Sequence, residues 1–444
     1  MKPFSELVGR TVALTSLLAL CLGATPVPSA LPYQVAGDVT ESFQLLTGTY
    51  YETVDPQALL AAASNALADA AHKRGVTIAP PALRVEGDRD ATIAELDGAI
   101  AAAAHSAHAS PSDFAYAAIV GMAKATNDRY TQFFTPTEFK AFNAALDPEK
   151  ISGIGVMIAP DQASGCVRVT YVVPATPAER AGVAVGDIVT AVDGTPTKGQ
   201  TVEVVSGRLR GKAGTSVAVA VQRTNAPVVF TIVRENVQPP TVVFKMLADG
   251  IGYIWVMEFG KATPTEFDTA VSRLNSLGAK ALILDLRNDG GGYVKSALDI
   301  SSRFIANKAL LTVEERGRDA TTIDADGDPS INLPVSVLVN QYTASASEIT
   351  AGALQDDGIG MLVGAKTFGK GVMQTLTPLP DGAAIKITTA HYLTPNRRDI
   401  NLRGIDPDVA VDENRDARFG DVATDAQLRA AIALLQKKIA TEKT

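Results

Sequence analysis

From about Asp38 to Leu146, apolar residues recur at spacings of three and four, as in LLAAASNALADAAHK and TIAELDGAIAAAAHSAH, and this spacing predicts a helical region. Pro80-Pro81 and Pro111 interrupt it, and the closing stretch DRYTQFFTPTEFKAF places Thr135 as an N-cap ahead of Pro136 in the first turn of a last helix. The pattern changes at Ile151. Short β-branched runs (GVMIA, CVRVTYVV, DIVTAVDG, SVAVAVQR, VVFTIVRE) alternate with Gly/Pro turns, which predicts a small β-rich module. Its single helical run, TVEVVSGRLRG, sets Val202, Val205 and Leu209 on one face. Beyond Thr241, IGYIWVMEF, the helix TPTEFDTAVSRLNSLG and the apolar run ALILDL begin an alternation that continues through LPVSVLVN, ASEITAGALQ and MLVGA. That order predicts an α/β layer with buried strands, and DAQLRAAIALLQKKIA follows as an amphipathic helix.

The chain of 444 residues therefore divides into a leader over 1–30, a helical N-terminal region over 36–149, a β-rich module over 150–236 and an α/β core over 237–444. In the leader, Lys2 and Arg10 precede TVALTSLLALCLG and then ATPVPSA, the order of a secretory signal peptide with cleavage near Ala24 or Ala30. The apolar run falls short of the roughly 20 residues of a membrane span. Retention as an N-terminal anchor is the alternative, and a lipoprotein reading through Cys21 is weakened by Leu20 before it. The expected location is the periplasm or cell envelope, or outside the cell.

With 40 Lys+Arg against 48 Asp+Glu, the net charge of −8 lacks the basic footprint of a nucleic-acid binder. Cys21 and Cys166 are the only cysteines, which rules out a multi-bridge framework and a Cys-rich zinc site. His105 and His108 stand three apart on an Ala/Ser-rich helix with no carboxylate cluster beside them, so no metal site is expected.

Within the β-rich module, Ser152-Gly153-Ile154-Gly155-Val156 opens a strand. Its glycines let successive N–H groups turn toward an anion, and the strand beyond can take a peptide C-terminus as an added strand. Val202, Val205 and Leu209 would line the side-chain pocket; a plain hairpin is the bland alternative. The downstream run VVPATPAERAGVAVGDIVTAVDGTP resembles PDZ domains of the bacterial protease type, which implies that Gly153, Ile154, Gly155 and Val156 bind peptide.

In the α/β core, a Ser-His-Asp set has poor support, since His391 in KITTAHYLTPN reads as a sheet-surface residue. GAKTFGK fits a phosphate loop until Gly371 replaces the Ser/Thr needed for Mg²⁺ and a strand follows in place of a helix. There remains Thr343-Ala-Ser-Ala-Ser-Glu348 before a helix, with Lys370 twenty-five residues beyond Ser345. A buried lysine amine can activate a serine, and a helix N-terminus offers N–H groups to an oxyanion. Ser345-x-x-Glu348 is also a capping box, with Gly358 suited to end that helix. Lys370 lies between Gly369 and Gly371, whose small size admits a close neighbour, and Gln374 four residues on would share its strand face and orient the amine. Asp289-Gly-Gly-Gly292 follows a buried strand, so Gly291 with Ala346 would supply the oxyanion donors; a tight turn is the alternative.

TASASEITAGALQDD, VGAKTFGKGVMQ, LILDLRNDGGG, DRYTQFFTPTEF and RGIDPDVAV, in their order with the PDZ-like run, resemble the C-terminal processing (tail-specific) serine proteases over about residues 39–413. The resemblance implies a crotonase-like α/β protease core with a helical N-terminal region and an inserted β-rich PDZ domain. It places the nucleophile on Ser345, the base on Lys370, the lysine-orienting amide on Gln374 and the oxyanion donors on Gly291 and Ala346, with no metal or organic cofactor. Gly290 stands where the family has Pro, the Ala-rich stretch 75–110 has no family counterpart, and Asn396-Arg397-Arg398 replaces a Ser-Gly turn. The expected partners are protein or peptide substrates engaged at C-terminal or unfolded segments, an adaptor or activating peptide, and a second copy of the chain. A non-catalytic peptide- or apolar-ligand-binding protein is the rival reading.

Overall fold

The computed structural model describes residues 31–146, 150–224, 226–327, 329–412 and 420–441; the expected leader, both cleavage points and Cys21 lie outside them. Four helices, Tyr33–Gly48, Pro56–His72, Arg89–Ser106 and Pro111–Ala125, form the N-terminal bundle. The second and fourth start on Asp55 and Ser110, whose side chains accept a backbone N–H two residues on, each with Pro at the first turn. The Ala-rich helix Arg89–Ser106 buries Ile93, Leu96 and Ile100 in this bundle. Thr135 caps the next helix as expected, its backbone N–H and hydroxyl both reaching Glu138 Oε2 at 2.9 Å. The stretch just before it is a strand, where a helical region was expected. Gln132–Phe134 pairs antiparallel with Ala384–Lys386, because its aromatic residues suit a sheet edge better than a helix. The bundle is thereby joined to the core: Ile385, Ile387, Leu379 and Ala383 sit in its apolar cluster.

In the α/β core, Ile251–Val256, Ala281–Asp285, Val335–Val339, Gly360–Gly364 and Val409–Ala410 run parallel, with Val242–Met246 antiparallel at the edge. Both faces of this sheet are covered, which explains the apolar runs. Leu282, Leu284, Val335 and Val337 pack on the helices Thr263–Ser276, Val294–Ser301 and Ala346–Asp356, while Ala281, Ile283, Leu338 and Val363 meet Leu428, Ala431 and Leu435 of the C-terminal helix. A second, antiparallel sheet centres on Ala384–Leu393, flanked by Val372–Pro378, Gln132–Phe134 and Ala309–Glu315.

The β-rich module enters by Ile151–Gly153 and leaves by Glu235–Val237, which pair antiparallel, so the insertion begins and ends at one place. Its strand Cys166–Val172 alternates buried Val167, Val169 and Tyr171 with outward residues, as a half-buried sheet demands. Val156–Asp161 is an edge strand of this sheet. Among the described residues, no helix is long and apolar enough to cross a membrane.

Candidate active site

The carboxyl ends of two neighbouring buried strands carry the site. Ala281–Asp285 leads into Asp289–Gly292, and Val335–Val339 leads into the turn before Ser345. Thr343 Oγ1 donates to Leu286 O at 2.8 Å and Asn340 Nδ2 to Asn288 Oδ1 at 2.9 Å, so the two loops are bonded side by side. Beneath them, buried Arg287 is held by Asp285 and Asp425, with Nη2 at 2.6 and 2.7 Å, which ties the loop base to the C-terminal segment. No sequence signal singled out this network.

Ser345 stands at the N-cap of Ala346–Asp356 with φ 57° and ψ −117°, a conformation an L-residue keeps only when its surroundings enforce it. Glu348, wholly buried, does the enforcing: its Oε2 accepts Ser345 N at 2.9 Å and Lys370 N at 2.8 Å, and its Oε1 accepts Thr367 Oγ1 at 2.5 Å and Gly369 N at 2.8 Å. Burial raises the Glu348 pKa, outweighing the four bonds that favour its charged form. Tyr392 serves the opposite ends of the same backbones. Its hydroxyl lies 2.7 Å from Lys370 O and 3.1 Å from Ser345 O. The flanking glycines act as expected, since a Cβ on Gly369 would stand 2.6 Å from Gly404 N and one on Gly371 2.7 Å from Asn401 N. The helix ends at Asp356, with Gly358 at φ 69°.

The Lys370 amine stands 4.9 Å from the centre of the Tyr130 ring. Burial lowers its pKa to about 8, helped by the nearby Lys386 and opposed by Asp128 and Glu348. Lys386 lies over the rings of Phe134 and Phe142, 5.4 and 5.3 Å from their centres. Gln374 was expected to orient the amine directly. Instead its amide donates to Thr388 Oγ1 at 3.3 Å, and Thr388 donates to Asp128, whose charge attracts Lys370. The face-sharing argument fails because Lys370 precedes the strand and a register shift falls between Met373 and Gln374. Asp128 and Tyr130 lie in the run DRYTQFFTPTEF, which reads only as a family resemblance and a helix start, and Tyr392 had no motif to reveal it.

Ala346, fully buried, opens the helix, where the first N–H groups lack intrahelical acceptors. Gly291 touches this turn: a Cβ on it would lie 2.8 Å from Ala346 N and 2.9 Å from Ser345 Cβ. Its N–H, however, was expected to face an oxyanion, and here it donates to Asp289 Oδ1 at 2.8 Å. An aspartate two residues upstream captures such an N–H in a local turn, a competition that reading the run as a glycine cluster overlooks.

His391 stacks on Tyr51, centroids 4.7 Å apart, as a sheet residue. Lys370 is followed by the strand Val372–Pro378, unlike a phosphate loop. Among the described residues, no group of three or more His, Cys, Asp or Glu is placed to hold a metal.

In the β-rich module, Gly153, Ile154, Gly155 and Val156 line a groove of about 300 Å³ bounded by Ser206, Leu209 and Arg210. Of the three helix residues expected there, Leu209 lines it. Val205 is wholly buried in the domain core and Val202 packs against that core. The apolar stripe of this helix faces its own domain, and the next residue round, Ser206, meets the groove.

Residues 250–411 match the model of peptidase family S41 and residues 168–223 that of the PDZ domain. The chain is 36% identical over 330 residues to a carboxyl-terminal-processing protease of Picosynechococcus sp., covering 73% of this chain and 79% of that one. It is 33% identical over 302 residues to a probable CtpA-like serine protease of Staphylococcus saprophyticus, covering 67% of this chain and 60% of that one. The solved photosystem II D1 C-terminal processing protease is 27% identical, with 86% of this chain and 94% of that one covered at a TM-score of 0.45. The chain belongs to peptidase family S41, with carboxyl-terminal-processing proteases among its relatives; it is a serine-type protease carrying a PDZ domain.

Proposed function

We propose that this protease is exported and cleaves protein substrates with Ser345 as nucleophile and Lys370 as base, engaging C-terminal or unfolded segments through its PDZ domain. The observation that carries the reading is the desolvated amine of Lys370, with a pKa near 8, on a backbone clamped to that of Ser345 by Glu348 and Tyr392. A neutral amine accepts the Ser345 hydroxyl proton as Oγ attacks the scissile carbonyl carbon. The tetrahedral oxyanion is met by the Ala346 N–H. The ammonium returns its proton to the leaving amine as the C–N bond breaks, leaving an ester on Ser345. Water then attacks this ester, Lys370 again taking the proton; as the C–Oγ bond breaks, the ammonium returns that proton to Ser345 Oγ, and the new carboxyl product departs. Gln374 acts on the amine through Thr388 and Asp128.

The open edge of Val156–Asp161 beside Ser206 and Leu209 suits an added peptide strand, with the glycine turn at its start for a terminal carboxylate. Export rests on the charged, apolar and small-residue order of residues 1–30. Cleavage of an unfolded protein by the wild type, lost in Ser345→Ala together with fluorophosphonate labelling, is the test. A wild type that neither cleaves nor labels would favour the non-catalytic binding protein.

A further inference from the structure

Asp289 has no exposed surface, and it is bonded to the nucleophile turn through its backbone as well as to the glycine loop through its side chain. Its carbonyl accepts Ala344 N at 3.0 Å and Ser347 Oγ at 3.1 Å, while Oδ1 accepts Gly291 N at 2.8 Å. The second carboxyl oxygen, Oδ2, is buried with no hydrogen-bond partner. A carboxylate with one unpartnered oxygen is a far costlier occupant of such a place than a neutral carboxyl. Burial, opposed by the Gly291 N–H and the Ser347 hydroxyl and reinforced by the charge of Glu258, brings the pKa of Asp289 to about 8. The other charges around the loop are already engaged: Arg287 with Asp285 and Asp425, and Glu348 with Ser345, Thr367, Gly369 and Lys370.

We propose that Asp289 is a positioning residue for the Ser345 reaction: charged, it holds the Gly291 N–H and sets a negative charge beside the developing oxyanion; neutral, it yields that N–H to the substrate's carbonyl oxygen. The inference rests on the Ser345–Lys370 reading above. A hydrogen bond to a charged acceptor is about twice as strong as one to a neutral acceptor, so ionisation tightens the hold on Gly291 while making an adjacent oxyanion less favourable. Lys370 must be neutral to act and Asp289 must be neutral to release the donor. The kcat/KM profile is then a narrow peak, rising on Lys370 and falling on Asp289.

The test is kcat/KM for an unfolded casein between pH 6 and 10, on the wild type, Asp289→Asn, Glu258→Gln and Ser345→Ala. The wild type should fall by about tenfold per pH unit on its alkaline side. Asp289→Asn, which keeps an acceptor for Gly291 and cannot ionise, should hold a plateau there; a merely structural role would lower the whole curve without changing its shape. Glu258→Gln should move the fall to lower pH, because it removes the charge that resists ionisation of Asp289. An unchanged falling limb in Asp289→Asn, or a folded wild type with no falling limb, overturns the proposal. If Asp289→Asn does not fold, Glu258→Gln decides, and a fall that stays in place overturns it. An inactive Ser345→Ala beside an unchanged limb in Asp289→Asn sinks this inference alone, while an active Ser345→Ala sinks the serine–lysine reading beneath it.

Discussion

Glu348 Oε2 accepts the backbone N–H of both Ser345 and Lys370, at 2.9 and 2.8 Å, so one buried carboxylate sets the distance between the two backbones that carry the reacting groups. In Glu348→Gln, one end of the side chain becomes an N–H₂ group facing donors. Each buried donor left without its acceptor costs about 1–3 kcal/mol. The variant should lose about a hundredfold in kcat, with KM little changed and the melting temperature reduced. Steady-state kinetics beside calorimetry checks this, and a normal kcat in a destabilised protein would reduce Glu348 to a structural group.

Ser345 keeps its side chain at φ 57° and ψ −117°, where glycine is the residue without a steric penalty. Ser345→Ala retains the Cβ and the strain, whereas Ser345→Gly relieves it. Both should be inactive, and the glycine variant should be the more stable by about 1 kcal/mol after the entropy cost of glycine is deducted. Thermal unfolding of the pair measures the difference. Equal melting temperatures would mean that the turn stores no strain.

Lys370 has a folded pKa of about 8, below its unfolded value of about 10.4. Below pH 8 the folded chain must carry a desolvated ammonium, and that penalty is relieved as pH rises from 8 toward the unfolded value. Lys370→Met should therefore be stabilised at pH 7, by about 1–3 kcal/mol, with the gain fading above pH 8. Lys370→Arg should be inactive because a guanidinium keeps its proton. Lys366→Ala should stay active, since Lys366 forms a solvent-exposed pair with Asp406 at 3.2 Å. Melting curves across pH and a cleavage assay test the three together.

The parts legible in the sequence are those where one local signal points to one structure. The doubly buried strands are apolar runs, and Thr135-Pro136 and Ser345-x-x-Glu348 are helix starts. What escaped depended on chain segments far apart meeting. Nothing local tells that Tyr392 will bridge Ser345 and Lys370, or that Asp128 will reach Thr388, and a single bulge at Met373–Gln374 redirects Gln374. At Asp289 the glycines drew attention from the one residue with a side chain to spend on them.

Lys386 shares the surroundings of Lys370, and its charge lowers the Lys370 pKa second only to burial. Lys386→Met should therefore move the rising limb of the pH–rate profile to higher pH, while Lys386→Arg leaves it near the wild-type position. A limb that does not move in Lys386→Met would separate the two lysines electrostatically.

The groove of the PDZ domain calls for a blocking variant that leaves the domain folded. Gly155→Trp does not qualify: Gly155 has φ 86°, and a Cβ there would lie 2.4 Å from Thr176, so the substitution strains the backbone and collides with the domain before it fills the groove. Ser206 borders the groove from the helix and is half-buried, so Ser206→Trp places the bulk where an added strand would lie. Energy from segments of a substrate remote from the scissile bond supports capture and positioning, and a short peptide that reaches Ser345 without the groove has none of it to lose. Ser206→Trp should therefore lower kcat/KM for a long unfolded substrate by about tenfold or more and change that for a short peptide by less than about twofold. An equal loss on both substrates would show that the groove takes no part in capture, and an unchanged melting temperature for the variant makes either outcome readable.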